Sequence, residues 1–222
     1  MPTFVPLAWQ TPPAVYPAKA VVPLNPYAAE DAQLLTMMKD RGIGAAGQPA
    51  QPARKLFRSE TGEITIDGPR DVLVLDTPRT AGGYAPAGQS IETTTGGVRV
   101  QVEGSDATVW VSALDDRPIR QSRRLLVTHL TDLQNSGIRY AEAARQILQD
   151  WGRLPHLVRA GKADLSVRLE NPGQYKVWAL APSGKRLAEV PARVTGVVLA
   201  FTADVAGDPP SGARMIYEVA VP

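Results

Sequence analysis

Apolar and polar positions alternate in short runs through most of this chain. Val98, Val100 and Val102 are separated by Arg99, Gln101 and Glu103, and apolar side chains recur at every second position through Leu165, Val167 and Leu169. A period of two sends one set of side chains to a buried face and the other to water, so these runs predict half-buried strands. Further strands are expected at Glu63–Ile66, Val72–Asp76, Thr108–Leu114, Arg124–Leu130, Tyr175–Leu180, Val194–Phe201 and Met215–Val221. Turn sequences separate them: Asp67-Gly68-Pro69, Asp115-Asp116-Arg117-Pro118, Asn171-Pro172-Gly173 and Pro182-Ser183-Gly184. Gly82-Gly83 and Gly96-Gly97 also read as turns. Strands recurring roughly every 8–15 residues are the signature of a sandwich or barrel. The helices that a parallel α/β fold needs between strands are missing. The expected fold is mostly β: an antiparallel β-sandwich, immunoglobulin-like or jelly-roll-like, with one N-terminal helix and an extended N-terminal arm.

The pattern changes toward the N-terminus. Residues 1–23 are proline-rich, carry Trp9 and Tyr16, and have no hydrophobic period, which predicts an extended arm. Residues 24–53 read as a helix and a linker. Asn25 caps the helix, Pro26 suits its first position, and Gly42 stops it. Glu30 and Asp31 lie early, Lys39 and Arg41 late, as the helix dipole favours. Tyr27, Leu34, Leu35 and Met38 form a one-sided apolar stripe. Residues 54–222 are the expected sandwich region, with a division into two subdomains near residue 160 left open. Tyr140–Asp150 is ambiguous, because its residues are good helix formers.

Composition removes several kinds of chemistry. The 222 residues contain no cysteine, which excludes disulfides, thiolate catalysis and Cys-ligated metal sites. There are 24 basic and 22 acidic side chains, and they are scattered, so charge does not point to nucleic acid. No apolar run is long enough to span a membrane, and the N-terminus lacks the pattern of a signal peptide. The acids Glu60, Glu63, Asp67, Asp76, Asp115, Asp116 and Glu142 lie mostly in turns or on wet faces, and no pair has the spacing of a glycosidase dyad. His129 and Asp132, at the end of a strong strand, could orient a general base, yet no G-x-S-x-G nucleophile motif accompanies them. His156, the second histidine, has no zinc-type spacing to the first. Asp204 and Asp208, in a Gly/Pro loop, could hold a calcium ion, although two acids are a weak ligand set. No cofactor is expected. Trp110, Trp178, Tyr84 and Trp151 are candidate platforms for stacking on sugar rings, with packing as the competing role.

A series of short motifs resembles the C-terminal part of bacterial TIM-barrel glycoside hydrolases of the β-galactosidase-like and family-39-like kinds. NPYAAEDAQLLTMMKDRG at 25–42 looks like their late helix, and RSETGEITID at 58–67 like the strand that follows. VLVLDTPRTAGGY at 72–84 and SRRLLVTHLTDLQNSGIRY at 122–140 are similar to two further strand motifs. Asp150-Trp151-Gly152 with PHLVRA, and the hairpin YKVWALAPSGKRLAEVP at 175–191, complete the order. In that family the catalytic glutamates lie on the barrel, and no position of this chain matches them. The resemblance also makes Ile147–Trp151 a strand, against local propensity.

The resemblance implies a non-catalytic accessory domain. Its partner would be an upstream catalytic TIM barrel, whose substrate is a polysaccharide in a secreted or periplasmic setting. Met1 stands too close to the helix for a barrel to precede it here, so either an excised tail or a free-standing relative is expected. Two alternatives stay open: a carbohydrate-binding module using exposed Trp and Tyr, and a small enzyme with a site around His129 and Asp132.

Overall fold

A computed structural model describes residues 56–59, 61–207 and 212–222. The expected arm, the helix at 25–42, Trp9, Tyr16, Glu60 and Asp208 lie outside them. Contacts divide the chain into two compact units, 1–71 and 72–222.

In the first unit, β1 (Leu56–Arg58) and β2 (Ile64–Asp67) form an antiparallel hairpin with Phe57 opposite Ile66. The Asp67-Gly68-Pro69 signal becomes a 3-10 turn over Gly68–Arg70, whose Arg70 N–H donates to the Asp67 carboxylate at 3.4 Å.

Every strand pairing described within the second unit is antiparallel. Its strands are β3 (Val72–Asp76), β4 (Thr80–Ala85), β5 (Ser90–Glu92), β6 (Val98–Glu103), β7 (Ala107–Ala113) and β8 (Arg124–Leu130). After them come β9 (Leu133–Ser136), β10 (Arg139–Tyr140), β11 (Leu148–Asp150), β12 (Arg153–Val158) and β13 (Lys162–Arg168). The last are β14 (Lys176–Leu180), β15 (Arg186–Val190), β16 (Ala192–Thr195), β17 (Val198–Asp204) and β18 (Ile216–Ala220). One sheet runs β3-β4-β7-β8-β18-β14-β15, and a second runs β16-β17-β13-β6-β5. Strands on either side of residue 160 pair directly, β6 with β13 and β8 with β18. Position 160 is therefore inside one unit.

The alternation seen in the sequence fills the core. Val98, Val100 and Val102 of β6 and Leu165 and Val167 of β13 meet Val109, Val111, Leu125, Val127 and Val219 of the first sheet in a single buried cluster. Tyr217 joins it with its ring 6.0 Å from Phe201, and its hydroxyl lies 2.9 Å from the Asp204 carbonyl oxygen. Burial pushes that phenol far above its usual pKa.

Two expectations need correction. Gly82-Gly83 is not a turn: both residues lie inside β4, paired with β3 on one side and β7 on the other. Their φ angles are +145° and +159°, and a Cβ would come within 2.0 Å of the Val109 oxygen or 1.8 Å of the Leu73 oxygen. The strand can run there only because both residues lack a side chain. Val194–Phe201 is not one strand but parts of two, β16 and β17, joined by a turn at Gly196 with φ +58°. At Tyr140–Asp150 no helix forms. Leu148–Asp150 is strand β11, and Arg145 takes a left-handed φ of +56° that would break a helix.

Candidate functional site

Thirty or so residues between β8 and β13 form neither of the main sheets. They fold back on themselves as a ribbon, with β9 paired to β12 and β10 to β11. Polar side chains hold it together. Asp132 accepts both Arg145 Nη atoms at 3.1 and 2.8 Å and Arg159 Nη2 at 3.2 Å. The Arg145 hydrogen bond, aided by Gln134 and the charge of Arg159, holds the Asp132 carboxyl below its usual pKa despite its desolvation. Asn135 Nδ2 donates to the Trp151 carbonyl at 2.8 Å, and His156 Nδ1 donates to Asn135 Oδ1 at 2.7 Å. Ser136 Oγ donates to the Pro155 carbonyl at 2.7 Å, and the Glu142 carboxylate caps the N–H groups of Gln146 and Ile147.

Five large apolar side chains of this ribbon are open to water, while Ile138, Tyr140, Leu148 and Val158 are half-buried. Trp151 is 73% exposed and Leu154 70%, while Leu133, Ile147 and Leu157 are each more than half exposed. A two-stranded ribbon has no interior in which to hide them. Polar and apolar groups of the ribbon are thus both open to water. Leu133 lies opposite Val158 and Leu157 opposite Gln134, so the exposed apolar groups are spread over both faces of the ribbon.

The other candidate residues fall elsewhere. Tyr84, Trp110 and Trp178 share the outer face of the first sheet, opposite the core. Trp110 and Trp178 stand three strands apart and two residues out of register, so about 16 Å separates them. All three are half-buried. The Arg186 guanidinium covers one face of Trp178, 3.7 Å from the ring centre, as a cation–π contact. Trp110 lies opposite Gly82, which leaves it no side-chain neighbour on β4. Trp151 does not join these three, because the ribbon carries it.

The structure does not bring His129 and Asp132 together. His129 is fully buried, and its Nδ1 donates to the Ala203 carbonyl at 3.1 Å. Burial pushes its pKa below 6.5. Asp132 is engaged by arginines of the ribbon instead. The sequence THLTD only allowed such a pair, and β8 ends at Leu130, which leaves the two residues in different environments.

The acids have local roles. Asp76 accepts the N–H groups of Thr94, Thr95 and Gly96 at 2.8–3.0 Å, tying β3 to the loop between β5 and β6. Asp115 accepts the N–H groups of Arg117 and Arg123, and Asp116 pairs with Arg79 at 3.4 Å. Asp204 pairs with Lys162 at 3.2 Å. Among the described residues no three acidic or histidine side chains cluster as metal ligands, and no helix is long and apolar enough to cross a membrane.

The outward apolar residues of the ribbon were not singled out from the sequence, Trp151 excepted. Ile147, Trp151, Leu154 and Leu157 are spaced by three and four, which imitates a buried helical stripe. No family model, curated protein or solved structure matches the chain.

Proposed function

We propose that this chain is a non-catalytic accessory domain of a polysaccharide-degrading glycoside hydrolase in a secreted or periplasmic setting. Its two antiparallel sheets around one core support a β-sandwich of the immunoglobulin-like or jelly-roll-like kind. The occupant of the ribbon surface is the catalytic TIM barrel of that enzyme. The observation that carries this reading is the ribbon itself, held by side-chain polar bonds and carrying exposed Trp151, Leu154, Ile147, Leu157 and Leu133. The resemblance of the ordered motifs to such enzymes suggests the partner. A second reading rests on Trp151, whose open indole could stack on a sugar ring.

Calorimetric titration of the chain into a β-galactosidase-like barrel lacking its C-terminal β domain tests the proposal. Binding with a negative heat-capacity change is expected. Burying the exposed part of Trp151 alone is worth about 3 kcal/mol, so Trp151→Ala with Leu154→Ala should weaken binding at least tenfold. Equal binding by the double variant would overturn it. Retardation on polysaccharide gels that Trp151→Ala abolishes, without binding to the barrel, would favour the second reading.

A further inference from the structure

At the end of the sheets away from the ribbon lies an open depression of about 520 Å³. It forms where β8 begins, β13 ends, β14 begins and β18 ends. Its walls include Arg117, Arg120, Arg123, Asn171, Gln174 and Tyr175. We propose that this depression binds the carboxylate of an acidic saccharide.

The arginines stand at every third position of one loop, and the loop is held firmly. Ile119 is fully buried, and its N–H donates to the Pro78 carbonyl at 2.8 Å. Gln121 and Ser122 N–H groups both donate to the Pro118 carbonyl, and the Asp115 carboxylate takes the N–H groups of Arg117 and Arg123. Tyr175 Oη closes the far side by donating to the Ser122 carbonyl at 2.8 Å. The loop backbone is therefore fixed before binding, and the exposed arginine side chains are what a ligand must order.

Charge decides what it binds. Several arginines elsewhere are ion-paired: Arg99 with Glu92, Arg124 and Arg186 with Glu218, Arg145 with Asp132. Among the described residues the guanidiniums of Arg117, Arg120 and Arg123 have no such ion pair. The one carboxylate in the wall, Glu170, is held by Gln121 Nε2 at 2.7 Å. Three positive groups face Glu170 in the wall and Asp115 beside the loop, which leaves one net positive charge. Guanidinium forks match a carboxylate with two parallel hydrogen bonds. The side-chain amides of Asn171 and Gln174 carry no hydrogen bond among the described residues, and offer both donors and acceptors to sugar hydroxyls. The seven residues of β8 put about 20 Å between this depression and the ribbon. The site thus stays open when the ribbon is engaged, and does not depend on what the ribbon binds.

The test is calorimetry on the whole chain with tetragalacturonate, its neutral methyl ester and inorganic sulfate. Tetragalacturonate should bind and weaken with added salt, and the ester should bind at least tenfold more weakly. Arg117→Gln, Arg120→Gln and Arg123→Gln should each weaken tetragalacturonate by about tenfold, while Arg193→Gln, on β16, should leave it unchanged. Each variant's melting curve confirms folding. Equal binding of acid and ester, an equal loss from Arg193→Gln, or sulfate binding as tight as tetragalacturonate would each overturn the proposal.

Discussion

Glu218 offers the sharpest test of how the first sheet is held. It lies on β18 between Leu126 and Trp178, is 3% exposed, and faces away from the core. Arg124 Nε donates to one carboxylate oxygen at 2.5 Å and Arg186 Nε to the other at 2.6 Å. The same Arg186 covers Trp178. Glu218→Gln removes the charge and leaves one oxygen for two arginines. Breaking a fully buried ion pair costs about 3–5 kcal/mol. Here the arginine side chains are 62% and 47% exposed, so water recovers part of that. The expected loss is about 2 kcal/mol. Urea denaturation at pH 7 reads it directly, and a cycle with Arg186→Gln should show a coupling of about 1 kcal/mol. Burial by itself would raise the Glu218 pKa, but the hydrogen bonds and charges of Arg186 and Arg124 outweigh it and hold the carboxyl below 4.5. The native state therefore gains from the ionised form above the unfolded pKa. That gain should fade as pH falls from about 4.5 through the lower folded value. A loss under about 0.5 kcal/mol, or a wild-type advantage that persists at pH 2, would refute the reasoning.

Two further outcomes follow from the geometry of β3 and β4. Gly83→Ala should cost about 3 kcal/mol or more, because its Cβ would meet the Leu73 oxygen at 1.8 Å. Gly88→Ala, with φ +85° but open space around it, should cost about 1 kcal/mol; thermal melts that rank the two in the reverse order would exclude the steric account. For Asp76, desolvation raises the pKa, but the N–H groups of Gly96, Thr95 and Thr94 lower it further, so its stabilisation is present above about pH 4 and lost below. Asp76→Asn should thus be less stable at pH 7 by about 1–2 kcal/mol, with urea midpoints that converge on wild type as pH falls; a gap that stays constant would contradict this.

Strand positions were readable because burial on one face imposes a period of two, and that period does not depend on which strands pair. Val72–Asp76, Val98–Glu103 and Arg124–Leu130 have the bounds expected from the sequence. Gly82-Gly83 misled because a glycine pair usually signals a turn. Its real constraint is the close approach of Val109 and Leu73 carbonyls from neighbouring strands. The candidate sites were less readable. His129 and Asp132 are close in sequence, but the end of β8 places one in the core and the other in the ribbon. The aromatics showed their types but not their neighbours, so neither the cover of Arg186 on Trp178 nor the isolation of Trp151 could be foreseen.

The sequence by itself determined that the chain is mostly β, where most strands lie, and that cysteine chemistry is absent. These follow from local period and composition. Only the tertiary structure decided the strand order, the exposed apolar side chains of the ribbon at 131–161 and the gathering of Arg117, Arg120 and Arg123 beside Asn171, Gln174 and Tyr175. Each of those depends on contacts between residues far apart in the chain, and a pattern with a period of two says which face a side chain takes, not what it meets there.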